Sequence, residues 1–378
     1  MFDEKIKDFN YFNYRRRVST VVQIGKTPLG GSYPIRLQSM TTTSTLETEQ
    51  SVEQCKRIVR SGADYVRLTA QGTREAENLK NIRQALHEQS IYVPLVADIH
   101  FNPEVAVVAA KIVEKVRINP GNFVDAARNF HHVEYTDEEY QAELKKIEER
   151  FIPFLRICQE HHTAIRIGVN HGSLSDRIVS RYGDTPDGIV ESCMEFLRIC
   201  KRQNFKEVVI SIKASNTGIM VRSVRLLVEK MDHEGMHYPL HLGVTEAGAG
   251  EDGRIKSALG IGALLSDGIG DTIRVSLSEA PEKELPVARK LRDYIVKRNG
   301  ERPIGGRICS KFNFLDPERR ETVSVKNIGG KNPPVVISEH PDLVSQNPKL
   351  LPDFIYCGDQ LPKRSRRLKC GYIVDAAA

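Results

Sequence analysis

The sequence predicts an α/β fold, a closed (β/α)8 barrel (TIM barrel) followed by a short partial second domain. Three observations carry this expectation: eight strand-like runs alternate with amphipathic stretches, the alternation fills about 250 residues, and its texture breaks down after Arg298. The runs are 34–38, 65–68, 93–97, 116–118, 164–167, 207–212, 239–242 and 271–275. Between them lie segments such as 48–61 and 222–232, whose apolar residues recur at spacings of three and four, as on one face of a helix. Strand–helix alternation argues for βαβ units and a parallel sheet, and eight such units argue for closure over an open sheet. The longest gap falls between the fourth and fifth runs, and its charged stretch 137–150 is expected to be a solvated extra helix outside the barrel. After 298 the breakers Asn299-Gly300, Pro303, Gly305-Gly306, Gly329-Gly330 and Pro333-Pro334 punctuate short strand-like pieces such as 335–337 and 372–374. The expected division is therefore 1–298, a barrel expected on the grounds given below to bind substrate, and 299–378, a linker and the truncated beginning of another domain.

Composition narrows the class. Of 378 residues, 40% are hydrophobic and 28% charged, which excludes a disordered or fibrous chain. Lys plus Arg number 55 and Asp plus Glu 49, a net charge of +6 that implies only a weak general affinity for anions. The uncharged stretch 257–266 is far short of the roughly 20 residues that cross a bilayer, and the first residues lack an apolar signal core, so a cytoplasmic protein is expected. The seven cysteines (55, 158, 193, 200, 309, 357 and 370) are odd in number and include no Cys-x-x-Cys pair, which argues against a disulfide scaffold or a metal site. Cys158, Cys193 and Cys200 sit at apolar positions of helical patterns and read as small buried hydrophobes.

Chemistry in such a barrel sits where strands end and the following loops begin. Those places hold Gln38-Ser39, Arg67, Asp98-x-His100, Arg117-x-Asn119, Arg166 with Asn170, Lys213, Glu246 and Arg274-x-Ser276. Arg67, Arg117, Arg166, Lys213 and Arg274 are five cations from five strands. Like charges around one mouth repel and lose hydration, an arrangement made tolerable by a polyanion. Guanidinium forks match phosphate oxygens in bidentate geometry, so a phosphorylated substrate is expected. Glu246 and Asp98 are the carboxylates at strand ends. A partly desolvated Glu246 near bound phosphate is expected to act as general acid, with Asp98 a second candidate, and the plainer reading pairs each carboxylate with a neighbouring Arg. His100 is a candidate acid or hydrogen-bond donor, and no second ligand pair accompanies Asp98 and His100, so no metal is expected there.

Two further motifs are set aside. Gly248-x-Gly250-x-x-Gly253 matches a dinucleotide fingerprint, but Glu251 and Asp252 would face the pyrophosphate and Asp267 precedes the next strand, so the glycines read as a flexible loop beside Glu246. Lys363, Arg364, Arg366, Arg367 and Lys369 form a basic cluster without interleaved aromatics, read as a solvated linker with no nucleic acid expected.

The blocks Leu37-Gln-Ser-Met-Thr41, Val93-Pro-Leu-Val-Ala-Asp-Ile-His-Phe101, Val116-Arg-Ile-Asn-Pro-Gly-Asn122, Ile165-Arg-Ile-Gly-Val-Asn170, Ser211-Ile-Lys-Ala-Ser215, His241-Leu-Gly-Val-Thr-Glu-Ala-Gly248 and Gly268-Ile-Gly-Asp-Thr-Ile-Arg-Val-Ser-Leu277 run in order through the barrel. Together they resemble the 4-hydroxy-3-methylbut-2-enyl diphosphate synthase family of the methylerythritol phosphate route to isoprenoids. The resemblance implies an oxidoreductase whose barrel binds 2-C-methyl-D-erythritol 2,4-cyclodiphosphate and supports its two-electron reductive ring opening. It implies that Arg67, Arg117, Arg166, Lys213, Arg274 and Ser276 hold the diphosphate with Asn170 alongside. Glu246 would then protonate the departing hydroxyl, and Asp98 and His100 would line the same mouth. It also implies a 4Fe-4S cluster, reduced by flavodoxin or ferredoxin, in a C-terminal domain. This chain departs from the family there, because the Cys-Pro-x-Cys block is missing. Beyond 298 it resembles the start of the insertion domain of the longer three-domain form, so the chain is expected to be an N-terminal fragment, inactive alone, with cluster ligands outside it. The alternative from the same fold is a non-redox phosphate- or pterin-binding transferase resembling dihydropteroate synthase. From another class, the alternative is a nucleic-acid-binding or scaffold protein using the basic cluster.

Overall fold

A computed structural model describes residues 14–99, 102–124, 134–302, 319–339, 351–363 and 368–375. Contacts divide the chain into two compact units, 1–307 and 308–378.

In the first unit the strands are β1 (Arg36–Met40), β2 (Tyr65–Thr69), β3 (Leu95–Asp98), β4 (Lys115–Ile118), β5 (Ala164–Asn170), β6 (Val208–Lys213), β7 (His241–Leu242) and β8 (Thr272–Ile273). All eight pair in parallel in the order β6-β5-β4-β3-β2-β1-β8-β7. A parallel bridge between Ile210 and Leu240 joins β6 to the approach of β7 and closes the ring. The helices are α1 (Thr48–Arg60), α2 (Thr73–Glu88), α3 (Pro103–Ala110), α4 (Pro120–Phe123), α5 (Asp137–Glu160), α6 (Asp176–Tyr182), α7 (Pro186–Arg202), α8 (Thr217–His233), α9 (Gly250–Ser266) and α10 (Glu284–Val296). Several start on a side-chain cap with proline in the first turn: the Asn102 carboxamide accepts from Glu104 N, that of Asn119 from Gly121 N, and the Thr185 hydroxyl from Gly188 N. The Asn119 cap turns the chain sharply from the end of β4 into α4.

The charged stretch 137–150 is not an extra helix. It is the front of α5, the ring helix between β4 and β5, which buries Tyr140, Ile147, Phe151, Phe154, Leu155 and Cys158. Asp137, Glu138 and Glu139 crowd its first turn because they complement the helix dipole, and Thr136 with Glu139 forms a capping box. The additions to the ring are the short α4 and α6.

The N-terminal end of the barrel is plugged. Val22 and Leu29 pair antiparallel across a tight hairpin, and Val22, Ile24 and Leu29 pack, fully buried, on Tyr65, Val96, Ala164 and Val209 inside the barrel. The Tyr65 hydroxyl donates to the Thr27 carbonyl at 2.5 Å.

Inward side chains of such barrels stack in layers of four from alternate strands. Following the pairing register around the ring places Tyr65, Lys115, Val209 and Thr272 in a floor layer and Gln38, Val96, Arg166 and His241 in the next. Above these come Arg67, Arg117, Ser211 and Arg274, and then Met40, Asp98, Gly168 and Gly243. Contacts agree with this stacking: Lys115 Nζ lies 4.4 Å from the Tyr65 ring centroid, and Arg67 and Arg274 both reach Met40 Sδ.

The second unit contains a parallel sheet of β9 (Ile337–Ser338), β10 (Phe354–Tyr356) and β11 (Gly371–Ile373) in the order β11-β10-β9. Phe354 lies against Gly371, where a Cβ would come within 2.3 Å of the ring. Of the basic cluster, Lys363 and Lys369 are exposed, and Arg364, Arg366 and Arg367 lie outside the described residues.

The hairpin plug yields a direct expectation. Ile24→Ala opens a cavity under the barrel floor and costs about 2–5 kcal/mol, read as a lowered midpoint in chemical denaturation.

Candidate functional site

Four guanidinium groups and two ammonium groups project into the barrel, from Arg67, Lys115, Arg117, Arg166, Lys213 and Arg274, against two carboxylates, Asp98 and Glu284, that ion-pair with them. Asp98 takes Arg117 at 3.1 Å and Arg67 at 3.5 Å. Glu284, at the first position of α10, takes Arg274 through both oxygens at 3.0 and 3.2 Å and also accepts from Ser39 Oγ at 2.8 Å. Arg117 donates in addition to the Gly168 carbonyl at 2.8 Å. Among the described residues, no carboxylate pairs with Arg166, Lys115 or Lys213. Burial pushes the Arg67 guanidinium down to about 10 despite Asp98 beside it. Burial first, and neighbouring cations second, hold Arg166 and Lys213 well below their ordinary values.

The layer above these arginines is half glycine. At Gly168 a Cβ would lie 2.5 Å from Arg117 Nε, and at Gly243 it would lie 3.1 Å from Lys213 Nζ. The absence of these two side chains turns a filled barrel into a bowl, with Arg67, Arg117 and Arg274 at its base and Lys213 at its wall. Asn170 and Ser276, at the ends of β5 and just beyond β8, are half-buried at the rim. The structure therefore brings Arg67, Arg117, Arg166, Lys213, Arg274, Asp98, Asn170 and Ser276 to one end of the barrel; His100 lies outside the described residues. A cleft of about 540 Å3 at the opposite end, lined in part by Gln159, His162, Asn204 and Lys206, gathers no comparable charge.

The family model for the GcpE TIM-barrel domain matches residues 19–289. The chain belongs to this family. Proteins from Phocaeicola vulgatus and Bacteroides thetaiotaomicron, each named 4-hydroxy-3-methylbut-2-en-1-yl diphosphate synthase (flavodoxin), are 66% and 65% identical over 97% of this chain. The rice protein named 4-hydroxy-3-methylbut-2-en-1-yl diphosphate synthase (ferredoxin), chloroplastic, is 53% identical over 74% of this chain and is covered over 38% of its own length. The chain spans 60% of the length of each of the two bacterial relatives.

Within this family member, two sequence expectations change. Glu246 is exposed, where partial desolvation was expected, because it occupies the turn between β7 and α9. Its φ of 53° is left-handed, which a non-glycine residue adopts at a cost of order 1 kcal/mol, and such outliers gather at functional sites. Lys256 Nζ meets its carbonyl at 3.5 Å, and among the described residues no partner engages its carboxylate. Asp98, the second expected acid, is a buried acceptor between two guanidinium groups, which is the position of a counter-ion. The glycines after Glu246, Gly248 and Gly250, both have positive φ and lead into α9, so the fingerprint-like run is a turn and a helix start.

The sequence reading missed Lys115, His241 and Glu284, and it named Gln38 at a strand end without giving it a role. Lys115 was within reach, since it stands two residues before Arg117 on the same face of β4. Glu284 carried no local signal, because its role appears only when α10 packs back on β1.

The iron–sulfur cluster implied by the resemblance does not fit the four thiols of the barrel; Cys357 and Cys370 are half-buried, and Cys309 lies outside the described residues. Cys55, Cys158, Cys193 and Cys200 are buried, and burial pushes their thiols up, with Cys55 at about 12, whereas a cluster ligand is a thiolate. Among the described residues no group of three His, Cys, Asp or Glu side chains is arranged to hold a metal.

Two expectations follow from this geometry. Gly168→Ala pushes the Arg117 guanidinium out of the bowl and weakens the binding of inorganic pyrophosphate, used as an anionic probe, by about tenfold in calorimetric titration, while the midpoint of unfolding falls by less than for Ile24→Ala. Glu246→Gly relaxes the left-handed turn and raises thermal stability by up to about 1 kcal/mol, seen as a higher melting temperature.

Proposed function

We propose that the barrel is the substrate-binding part of a 4-hydroxy-3-methylbut-2-enyl diphosphate synthase, and that its ligand is 2-C-methyl-D-erythritol 2,4-cyclodiphosphate. The observation that carries this reading is the excess of buried cations over carboxylates beneath a glycine-lined bowl, an arrangement suited to a compact ligand with several negative charges. The names of the relatives support the reaction class, with a flavodoxin- or ferredoxin-type protein as electron donor to the whole enzyme.

In this reading Arg67, Arg117, Arg274 and Lys213 grip the diphosphate in the bowl, Arg166 supports it from below, and Ser276 and Asn170 donate from the rim. Guanidinium groups already held by Asp98 and Glu284 are pre-aimed, so little order is lost on binding. The reaction opens the ring reductively and expels a hydroxyl as water. Glu246, at the rim and free of a partner among the described residues, swings over the bound ligand and gives that hydroxyl its proton. Its exposure without ligand suits this task, since an unpartnered carboxyl at the rim is free to turn onto the bound ligand.

Lys213→Met tests the binding role, because Lys213 has no carboxylate partner to lose. The expected result is about tenfold weaker binding of the cyclodiphosphate by calorimetric titration, with the melting temperature unchanged or raised as an unpaired desolvated charge is removed. Unchanged affinity contradicts the assignment, and displacement of the ligand by a pterin favours the non-redox alternative. In the whole enzyme, Glu246→Gln leaves substrate affinity intact and lowers turnover, by about a hundredfold or more, because an amide fills the same place and gives no proton. Equal losses in affinity and turnover assign Glu246 to binding.

A further inference from the structure

Six buried polar atoms in the two lowest layers have no hydrogen-bond partner among the described residues: Gln38 Nε2, Arg166 Nε and Nη1, His241 Nδ1 and Nε2, and Thr272 Oγ1. Gln38, Arg166 and His241 share one layer, and Thr272 lies in the floor layer with Lys115. Gln38 and Arg166 are 1% exposed, and Lys115, His241 and Thr272 are fully buried. Each unmet buried group costs roughly 1–3 kcal/mol, and native cores rarely leave them unmet. Their concentration in one place points to a guest.

The chemistry of the set is that of donors. Arg166 has no acceptor, and Lys115 directs an N–H at Gln38 Oε1 at 3.5 Å; burial first, then Arg166 and Arg67, hold the Lys115 pKa well below its ordinary value, so an anion beside it favours the ammonium with its three N–H groups. That contact uses the acceptor end of Gln38 and leaves its NH2 facing the same interior. His241 offers one N–H in either neutral tautomer, and burial beside Arg166, Lys213 and Lys115 holds its pKa well below the ordinary range. No carboxylate belongs to these two layers. Asp98 ion-pairs with Arg67 and Arg117 and Glu284 with Arg274, and the field of Asp98 offsets only part of the repulsion that Arg67, Arg117 and Arg274 exert on Arg166. Water would meet the hydrogen bonds and leave the charge. Val22, Ile24 and Leu29 of the hairpin seal the space from below, Tyr65, Val96 and Val209 are apolar members of the two layers themselves, and neither layer contains a glycine to make room for a large ligand.

We propose that the barrel contains an inner anion site beneath the diphosphate bowl. It takes a small inorganic anion of halide size between Lys115 Nζ, Arg166 Nε and Nη1, Gln38 Nε2 and His241. The anion is the counter-ion of the barrel floor, and it fixes Arg166 under the bowl. The site is independent of the identity of the substrate above it.

The test uses the whole 378-residue chain. Crystals grown in sodium bromide should show an anomalous peak inside the barrel within hydrogen-bond distance of Lys115 Nζ and Arg166. Thermal unfolding in sodium chloride should exceed that in sodium gluconate of equal ionic strength by about 2 °C or more. Lys115→Met, which fills the same volume without charge, should lose that increment. Bromide confined to the bowl or the surface, or an ordered water in its place, overturns the proposal. So does a melting temperature equal in the two salts, or an increment that survives in Lys115→Met. Should that variant fail to fold, the bromide map of the unsubstituted protein decides.

Discussion

Uncompensated positive charge inside a closed barrel is the constraint on which the rest of this structure depends. A guanidinium group cannot shed its proton, so Arg67, Arg117, Arg166 and Arg274 must be neutralised where they stand or be met by a ligand. Asp98 and Glu284 neutralise part of the set, and they do so from fixed places, the end of β3 and the start of α10. The remainder is stored as affinity. Burial makes each unpaired cation costly, and the same burial strengthens its attraction for an anion that displaces water.

Around this charge the fold is arranged to resist its repulsion. The hairpin at Val22–Leu29 closes the floor with apolar contacts, so the cations face one opening. Gly168 and Gly243 leave that opening free above the arginines, whereas the layers below carry side chains at every position. The polar character of the barrel thus rises in steps from an apolar plug, through a donor-rich middle, to a cationic bowl.

Most of the scaffold was legible in the sequence, since each of the eight strand-like runs became a strand of the barrel, with ends displaced by a few residues. The exception was α5, where charges that cap a helix resembled those of a solvated face, and the buried Phe151, Phe154 and Leu155 lay beyond the stretch being read. The cations of the site were legible for a simple reason: strands deliver side chains alternately inward, and Arg67, Arg117 and Arg166 stand at inward positions of β2, β4 and β5. What the sequence could not show was pairing across the barrel. The contact of Lys115 with Gln38 and of Glu284 with Arg274 depends on ring closure, and the exposure of Glu246 depends on a local turn of positive φ.

The most direct measurement is a crystal structure of this chain with 2-C-methyl-D-erythritol 2,4-cyclodiphosphate. The account predicts the diphosphate in the layer of Gly168 and Gly243, with its oxygens within hydrogen-bond distance of Arg67, Arg117, Arg274 and Lys213. A ligand bound at the opposite end, in the cleft beside His162 and Asn204, or a bowl whose arginines turn away from the phosphates, would contradict it.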